Sequence, residues 1–130
     1  EKIVNLRKLS PLVELEFLGR VDKKNFYESV DVVVVPSKWR EPLGRIAFEA
    51  ASFGKLTFVS DSGGLPETVP NNYYTFDVSK KGEFADRLYR HAMLSPDDVY
   101  FKVDEYIRFS KNKFSTNISA DSYERFLNGN

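Results

Sequence analysis

Four consecutive valines, Val32-Val33-Val34-Val35, stand between Asp31 and Pro36. A β-branched run with no polar alternation predicts a short strand covered on both faces, as in parallel sheets. Parallel neighbours cannot be joined by a tight hairpin and need a crossover, usually helical. The run therefore commits the chain to an α/β layer. Pro36 ends it, and a loop from Ser37 to Gly44 precedes an apolar helix that starts near Arg45. In open α/β sheets, ligands bind in the crevice outside the carboxyl ends of the strands. The segment after the valines is thus the first candidate for chemistry.

The remaining pattern alternates in the same way. Residues 13–17 read as a strand that ends at Leu18-Gly19-Arg20. Asp22 caps a helix reaching Val30, with Phe26, Tyr27 and Val30 spaced along one face. The helix from Arg45 to Phe53 stops at Gly54. Residues 56–60 form another buried strand, Asp61-Ser62-Gly63-Gly64 a turn, 65–69 a brief helix and 73–76 a weaker strand. Beyond this the periodicity is helical. Residues 81–94 carry Phe84, Leu88 and His91 toward a core, with His91 structural or on the surface. Ser95-Pro96-Asp97-Asp98 offers a cap, a proline at the first helical position and an acidic first turn. A last amphipathic segment spans 118–127, with Tyr123 and Phe126 on it. Strands alternating with helices, followed by helices alone, predict a parallel sheet with a helical end. About four strands make a narrow layer. Residues 1–12 suggest no strand, so the first strands of the domain are expected to be missing or to come from another chain.

Composition removes several function classes. The 130 residues suffice for one domain and not for two. Nineteen basic and nineteen acidic residues cancel, so no overall field draws the chain to nucleic acid or an anionic membrane. Without cysteine there is no disulfide frame or thiolate site, and a single histidine argues against structural zinc. No apolar run reaches a spanning length and no signal-peptide pattern opens the chain. The expected location is cytoplasmic, or peripheral to the inner face of a membrane through a domain not contained in this chain.

Seven residues separate Glu41 from Glu49, Pro42 and Gly44 among them. One acid falls on the loop and the other one to two turns into the helix. Glu41 either compensates the helix dipole or meets a ligand. Glu49, flanked by Phe48, Ala50 and Ala51, must meet donors if it faces the sheet; otherwise it pairs with Arg45 one turn back. Gly44 either starts the helix or admits close approach of an anion, with Leu43 and Arg45 supplying neighbouring amides. Trp39 either stacks on a sugar or covers the core. Lys38 and Arg40 either assist phosphate charge or, the favoured reading, are solvated cations. Ser37 and Trp39 belong to the entrance loop, and Gly63 and Gly64 make a tight turn that secondarily lines the cleft. Together these groups read as a site for a phosphorylated sugar.

Four landmarks then carry a family resemblance over residues 13–127. Val13-Glu14-Leu15-Glu16-Phe17-Leu18-Gly19 resembles a "V-x-F-x-G" strand, and Asp31 to Ser37 a strand closing on Pro-Ser. Glu41-Pro42-Leu43-Gly44 through Glu49-Ala50 resembles an E-x7-E signature, and Gly63-Gly64-Leu65-Pro66-Glu67 a "G-G-x-P-E" loop. The chain resembles the C-terminal, donor-binding half of a glycosyltransferase family 4 enzyme of GT-B fold. The resemblance implies a Rossmann-like parallel sheet with flanking helices and a nucleotide-diphosphate sugar of UDP or GDP type as substrate. It implies no metal and no other cofactor. Glu41 would be the catalytic-site acid on the donor sugar's hydroxyls, and Glu49 would accept hydrogen bonds from the ribose diol. Leu43, Gly44 and Arg45 would complete the donor contacts, with Ser37, Trp39, Gly63 and Gly64 lining the cleft.

The sequence departs from the family pattern in places. Leu43 stands where phenylalanine is more usual, Ala51-Ser52-Phe53-Gly54 replaces "M-A-x-G", and Thr116 replaces a common tryptophan. These are packing changes. The strands carrying the basic diphosphate contacts, and the N-terminal acceptor domain, are not in the chain, so this polypeptide alone is expected to be inactive. The implied activity is sugar transfer to a hydroxyl acceptor, with retention, in polysaccharide or glycoconjugate synthesis. The alternative is a non-catalytic nucleotide-sugar-binding or assembly module completed by another chain.

Overall fold

A computed structural model of the chain describes residues 16–114. Helix α1 (Lys23–Ser29) leads into strand β1 (Val32–Val35), helix α2 (Arg45–Ser52) and strand β2 (Leu56–Ser60). Two 3-10 turns follow, Leu65–Thr68 and Asn72–Tyr74, then strand β3 (Thr75–Phe76), helix α3 (Glu83–Ala92) and helix α4 (Pro96–Phe114). The strands lie in the order β1-β2-β3, both pairs parallel. The register runs from Val32 opposite Leu56 to Val35 opposite Val59, and from Val59 opposite Thr75 to Ser60 opposite Phe76. This is the expected α/β architecture, a Rossmann-like parallel layer with flanking helices.

All five residues of β2 are buried, which makes it the strand covered on both faces. The valine run behaves differently. Val33 and Val35 are buried, but Val32 and Val34 are only half-buried, because one face of β1 is incompletely covered among the described residues. Phe58, Val59, Leu65 and Tyr74 are fully enclosed at the centre of the core. Each side chain of this size contributes about 1.5–3 kcal/mol by leaving water.

Local rules account for most element ends. Asp22 caps α1 as expected, its side chain accepting from the Asn25 N–H at 3.0 Å. Ser95 caps α4: its hydroxyl accepts from the Asp98 N–H at 3.2 Å and donates to the Asp98 carboxylate at 2.6 Å. Helix α2 ends at Phe53 and Gly54, the latter at φ 68°.

Three expectations need correction. The last strand is Thr75–Phe76 alone, since Tyr73 and Tyr74 lie in a 3-10 turn whose cap, Asn71, accepts from the Tyr73 N–H at 2.9 Å. Helix α3 is shorter than 81–94 at both ends, and Leu88 faces partly outward. His91 does turn inward. It is buried against Phe58, with Nδ1 3.0 Å from the Tyr73 hydroxyl. Burial, followed by nearby Lys102, holds its imidazole below the usual histidine range, which fits a structural role.

The strand expected over 13–17 falls mostly outside the described residues. Its last two, Glu16 and Phe17, are exposed and form no strand. The helix expected over 118–127 and the reading of residues 1–12 also lie outside them. Among the described residues no helix is long and apolar enough to cross a membrane.

Candidate functional site

The two motif-bearing loops, after β1 and after β2, run side by side beyond the ends of their strands. Three hydrogen bonds join them. The Ser60 hydroxyl donates to the Ser37 carbonyl at 2.7 Å, and the Ser62 hydroxyl to the Trp39 carbonyl at 2.7 Å. The Gly64 N–H donates to the Glu41 carbonyl at 2.8 Å. Every second residue of one loop therefore meets every second residue of the other. The parallel pairing of β1 with β2 is prolonged by serine side chains where the backbone ladder stops.

The glycines make this approach possible. A Cβ on Gly63 would stand 2.5 Å from the Glu41 carbonyl oxygen and 2.6 Å from its nitrogen, and Gly63 adopts φ +61°. A Cβ on Gly64 would run into the Pro42 carbonyl. The pair is a tight turn, as expected, pressed directly on the backbone that carries Glu41.

Gly44 is buried at the start of α2, with φ 61° and ψ 48°, a left-handed conformation that glycine adopts without penalty. It offers no capping side chain, and the first turn of α2 contains no acid. The opening N–H groups of this helix thus keep the positive end of its dipole uncompensated by the helix itself. Such an end suits a phosphate or carboxylate.

The two acids occupy different surroundings. Glu41 is half-buried, and among the described residues its carboxylate enters no ion pair. Glu49 projects from α2 toward α1. Lys23 Nζ lies 2.8 Å from Glu49 Oε1, whereas Arg45 approaches the same oxygen only to 3.7 Å. The hydrogen bond from Lys23 is the main reason the Glu49 carboxyl sits below its ordinary pKa; partial burial opposes the shift. Burial and then the Glu49 charge push the neighbouring Tyr27 hydroxyl up. Glu49 therefore meets the donors its apolar neighbours demand, and the closer one comes from another helix.

The other candidates are exposed. Trp39 is 77% accessible and does not cover the core, and Leu43 is 58% accessible. The Arg45 side chain also reaches into solvent. On the opposite flank of α2, Phe48 packs edge-on against Phe114 at 4.0 Å. A cleft of about 420 Å³ opens there between Pro42, Leu43, Gly64, Glu67 and Phe114. Ser37, Glu41, Gly63 and Gly64 are thus joined in one loop pair, with Gly44 just beyond, while Glu49 faces a separate flank. Ser60, Ser62, Lys23 and Tyr27 are the participants that sequence reasoning passed over. Ser60 and Ser62, at and just beyond the end of a buried strand, carry no sequence signal that marks them as hydroxyl rungs.

Among the described residues, no group of three or more histidines, cysteines or carboxylates gathers as a metal site would require. The site is thus a bare helix start and a braced acid-bearing loop at the carboxyl ends of two parallel strands, with a paired acid on the helix flank. Residues 2–99 match the family described as "Glycosyl transferases group 1", and the chain belongs to that family.

Similar proteins include an uncharacterized glycosyltransferase of Methanocaldococcus jannaschii, 30% identical over 88% of this chain and 26% of that protein. The spore coat protein SA of Bacillus subtilis is 30% identical over 72% of this chain and 25% of its own length. An uncharacterized 42.6 kDa protein in the cps region of Klebsiella pneumoniae is 35% identical over 57% of this chain and 21% of its own length. The chain spans about a quarter of the length of these relatives.

Proposed function

We propose that this chain is the donor-binding domain of a retaining glycosyltransferase that uses a nucleotide-diphosphate sugar. The observation carrying the reading is the braced loop pair set beside an uncapped helix start, in a chain of the group 1 glycosyl transferases. The N–H groups at the start of α2 receive the diphosphate. Glu41, held through its own carbonyl, orients the donor sugar by its hydroxyls. Glu49 accepts hydrogen bonds from the ribose. Leu43, Gly44 and Arg45 border the donor, and Ser37, Trp39, Gly63 and Gly64 line the approach.

Sugar transfer of this kind depends on stabilising the departing phosphate, which fixed backbone dipoles achieve with little reorganisation. The sugar's anomeric carbon loses its bond to phosphate and gains one to the acceptor oxygen on the same face. The acceptor's proton leaves with the diphosphate or with a group outside this chain. No metal is needed in this scheme. The acceptor site belongs to a second domain or partner chain, and the whole protein acts from the cytoplasmic side, in polysaccharide or glycoconjugate synthesis. The cps-region name of the Klebsiella relative is in keeping with that last point.

Calorimetric titration with UDP, GDP and their sugars tests the reading. Wild-type protein is expected to bind one nucleotide family, and Glu49→Ala to weaken it by about tenfold or more. Glu41→Ala is expected to spare the free nucleotide and remove the added affinity of the sugar. Nucleotide binding that Glu49→Ala retains in full sinks the ribose assignment.

A further inference from the structure

Glu49 reaches its nearest cation across a gap between helices rather than along its own. Arg45 is one turn away on α2, the arrangement available to any surface helix, yet it stands 3.7 Å off with its side chain 81% accessible. Lys23 is the first residue of α1, and its ammonium closes to 2.8 Å on Glu49 Oε1. The start of α1 is itself fixed, because Asp22 caps it through the Asn25 N–H. One turn further along α1, Tyr27 is buried, stacks on Phe53 at 4.9 Å and brings its hydroxyl toward Glu49. The carboxylate is therefore held by a charge and bordered by a buried ring, both from the helix facing it. Both cations approach Oε1, and among the described residues no ion pair involves Oε2.

We infer that Lys23 is a positioning residue for ribose recognition: it clamps Glu49 Oε1, fixing the side-chain rotamer that presents Oε2 to a ribose hydroxyl. This rests on the ribose assignment to Glu49 made above. Lys23 does not touch the ligand; it removes the rotational freedom that a half-exposed glutamate otherwise loses on binding. A lysine acting only as a surface ion pair would affect stability slightly and leave ligand preference alone.

The test compares UDP and GDP with their 2′-deoxy counterparts by titration of the intact protein. The wild type is expected to prefer the ribonucleotide by about tenfold, the effect of one hydrogen bond to a charged group. Lys23→Met is expected to reduce that preference to below about threefold, mainly by weakening the ribonucleotide. Lys23→Arg keeps a cation at the same place and is expected to restore most of it. Thermal melting of both variants separates misfolding from mispositioning. A preference lost in Glu49→Ala but unchanged in Lys23→Met overturns the role of Lys23 alone. No wild-type binding, or a preference that Glu49→Ala leaves intact, overturns the ribose assignment and this inference with it. Loss in Lys23→Met with recovery in Lys23→Arg supports both.

Discussion

Helices α2 and α4 begin in opposite ways. At the start of α4, Ser95 and Asp98 satisfy each other and the backbone, Pro96 removes one N–H, and Asp97 adds charge of the favourable sign. At the start of α2, Gly44 brings no side chain and no acid follows within the first turn. The first helix is complete in itself. The start of α2 has no such partners of its own, and it lies where two strands end and two loops converge. The contrast is what the proposed role of the α2 start rests on: one helix end carries its own cap and charge, and the other carries neither.

The largest expected effect comes from destroying the loop contact that frames the bare end. Gly63→Val would drive a side chain into the Glu41 backbone from a left-handed conformation. It is expected to cost on the order of 2–3 kcal/mol, read by denaturant unfolding, and to remove nucleotide binding. Ile46→Glu probes the contrast more directly by giving the first turn of α2 the acid it lacks. With half of Ile46 already exposed, stability should change by less than about 1 kcal/mol, while diphosphate affinity falls about five- to tenfold in titration. Ser95→Ala is the mirror experiment. It should cost about 1 kcal/mol of stability and leave nucleotide affinity unchanged.

The smallest effect concerns pH. The Glu49 carboxyl titrates below its unfolded value because Lys23 bonds its charged form. The pair's contribution is therefore complete above the ordinary glutamate pKa of about 4.3 and lost as pH falls through the lower, folded value. The stability difference between wild type and Lys23→Met should be about 0.3–1 kcal/mol at pH 7, shrink with salt, and vanish in strong acid.

Caps and buried runs were legible because each is a local rule written in adjacent residues. Asp22, Ser95 and the strand Leu56–Ser60 belong to this class. Tyr73 and Tyr74 misled because aromatic strand preference was outweighed by the Asn71 cap and by the Tyr74 hydroxyl, which donates to the Lys102 carbonyl and the Glu105 carboxylate. The candidate acids and glycines were visible from their spacing, but the serines tying the loops were not. Bonds from Ser60 and Ser62 to carbonyls 23 positions earlier have no periodic trace in the sequence. Lys23 was hidden for a related reason: a lysine opening a helix is indistinguishable, as a letter, from one that is merely solvated.

The rungs between Ser60 and Ser37, Ser62 and Trp39, and Gly64 and Glu41 have a practical consequence for engineering. They put the two loops in phase, so neither can be exchanged by itself. A transplanted first loop one residue longer would present its carbonyls on the wrong beat, leaving both serine hydroxyls opposite nothing. Anyone seeking to retune this site with segments from a relative must move both loops as one cassette, or change side chains and leave the backbone lengths as they are.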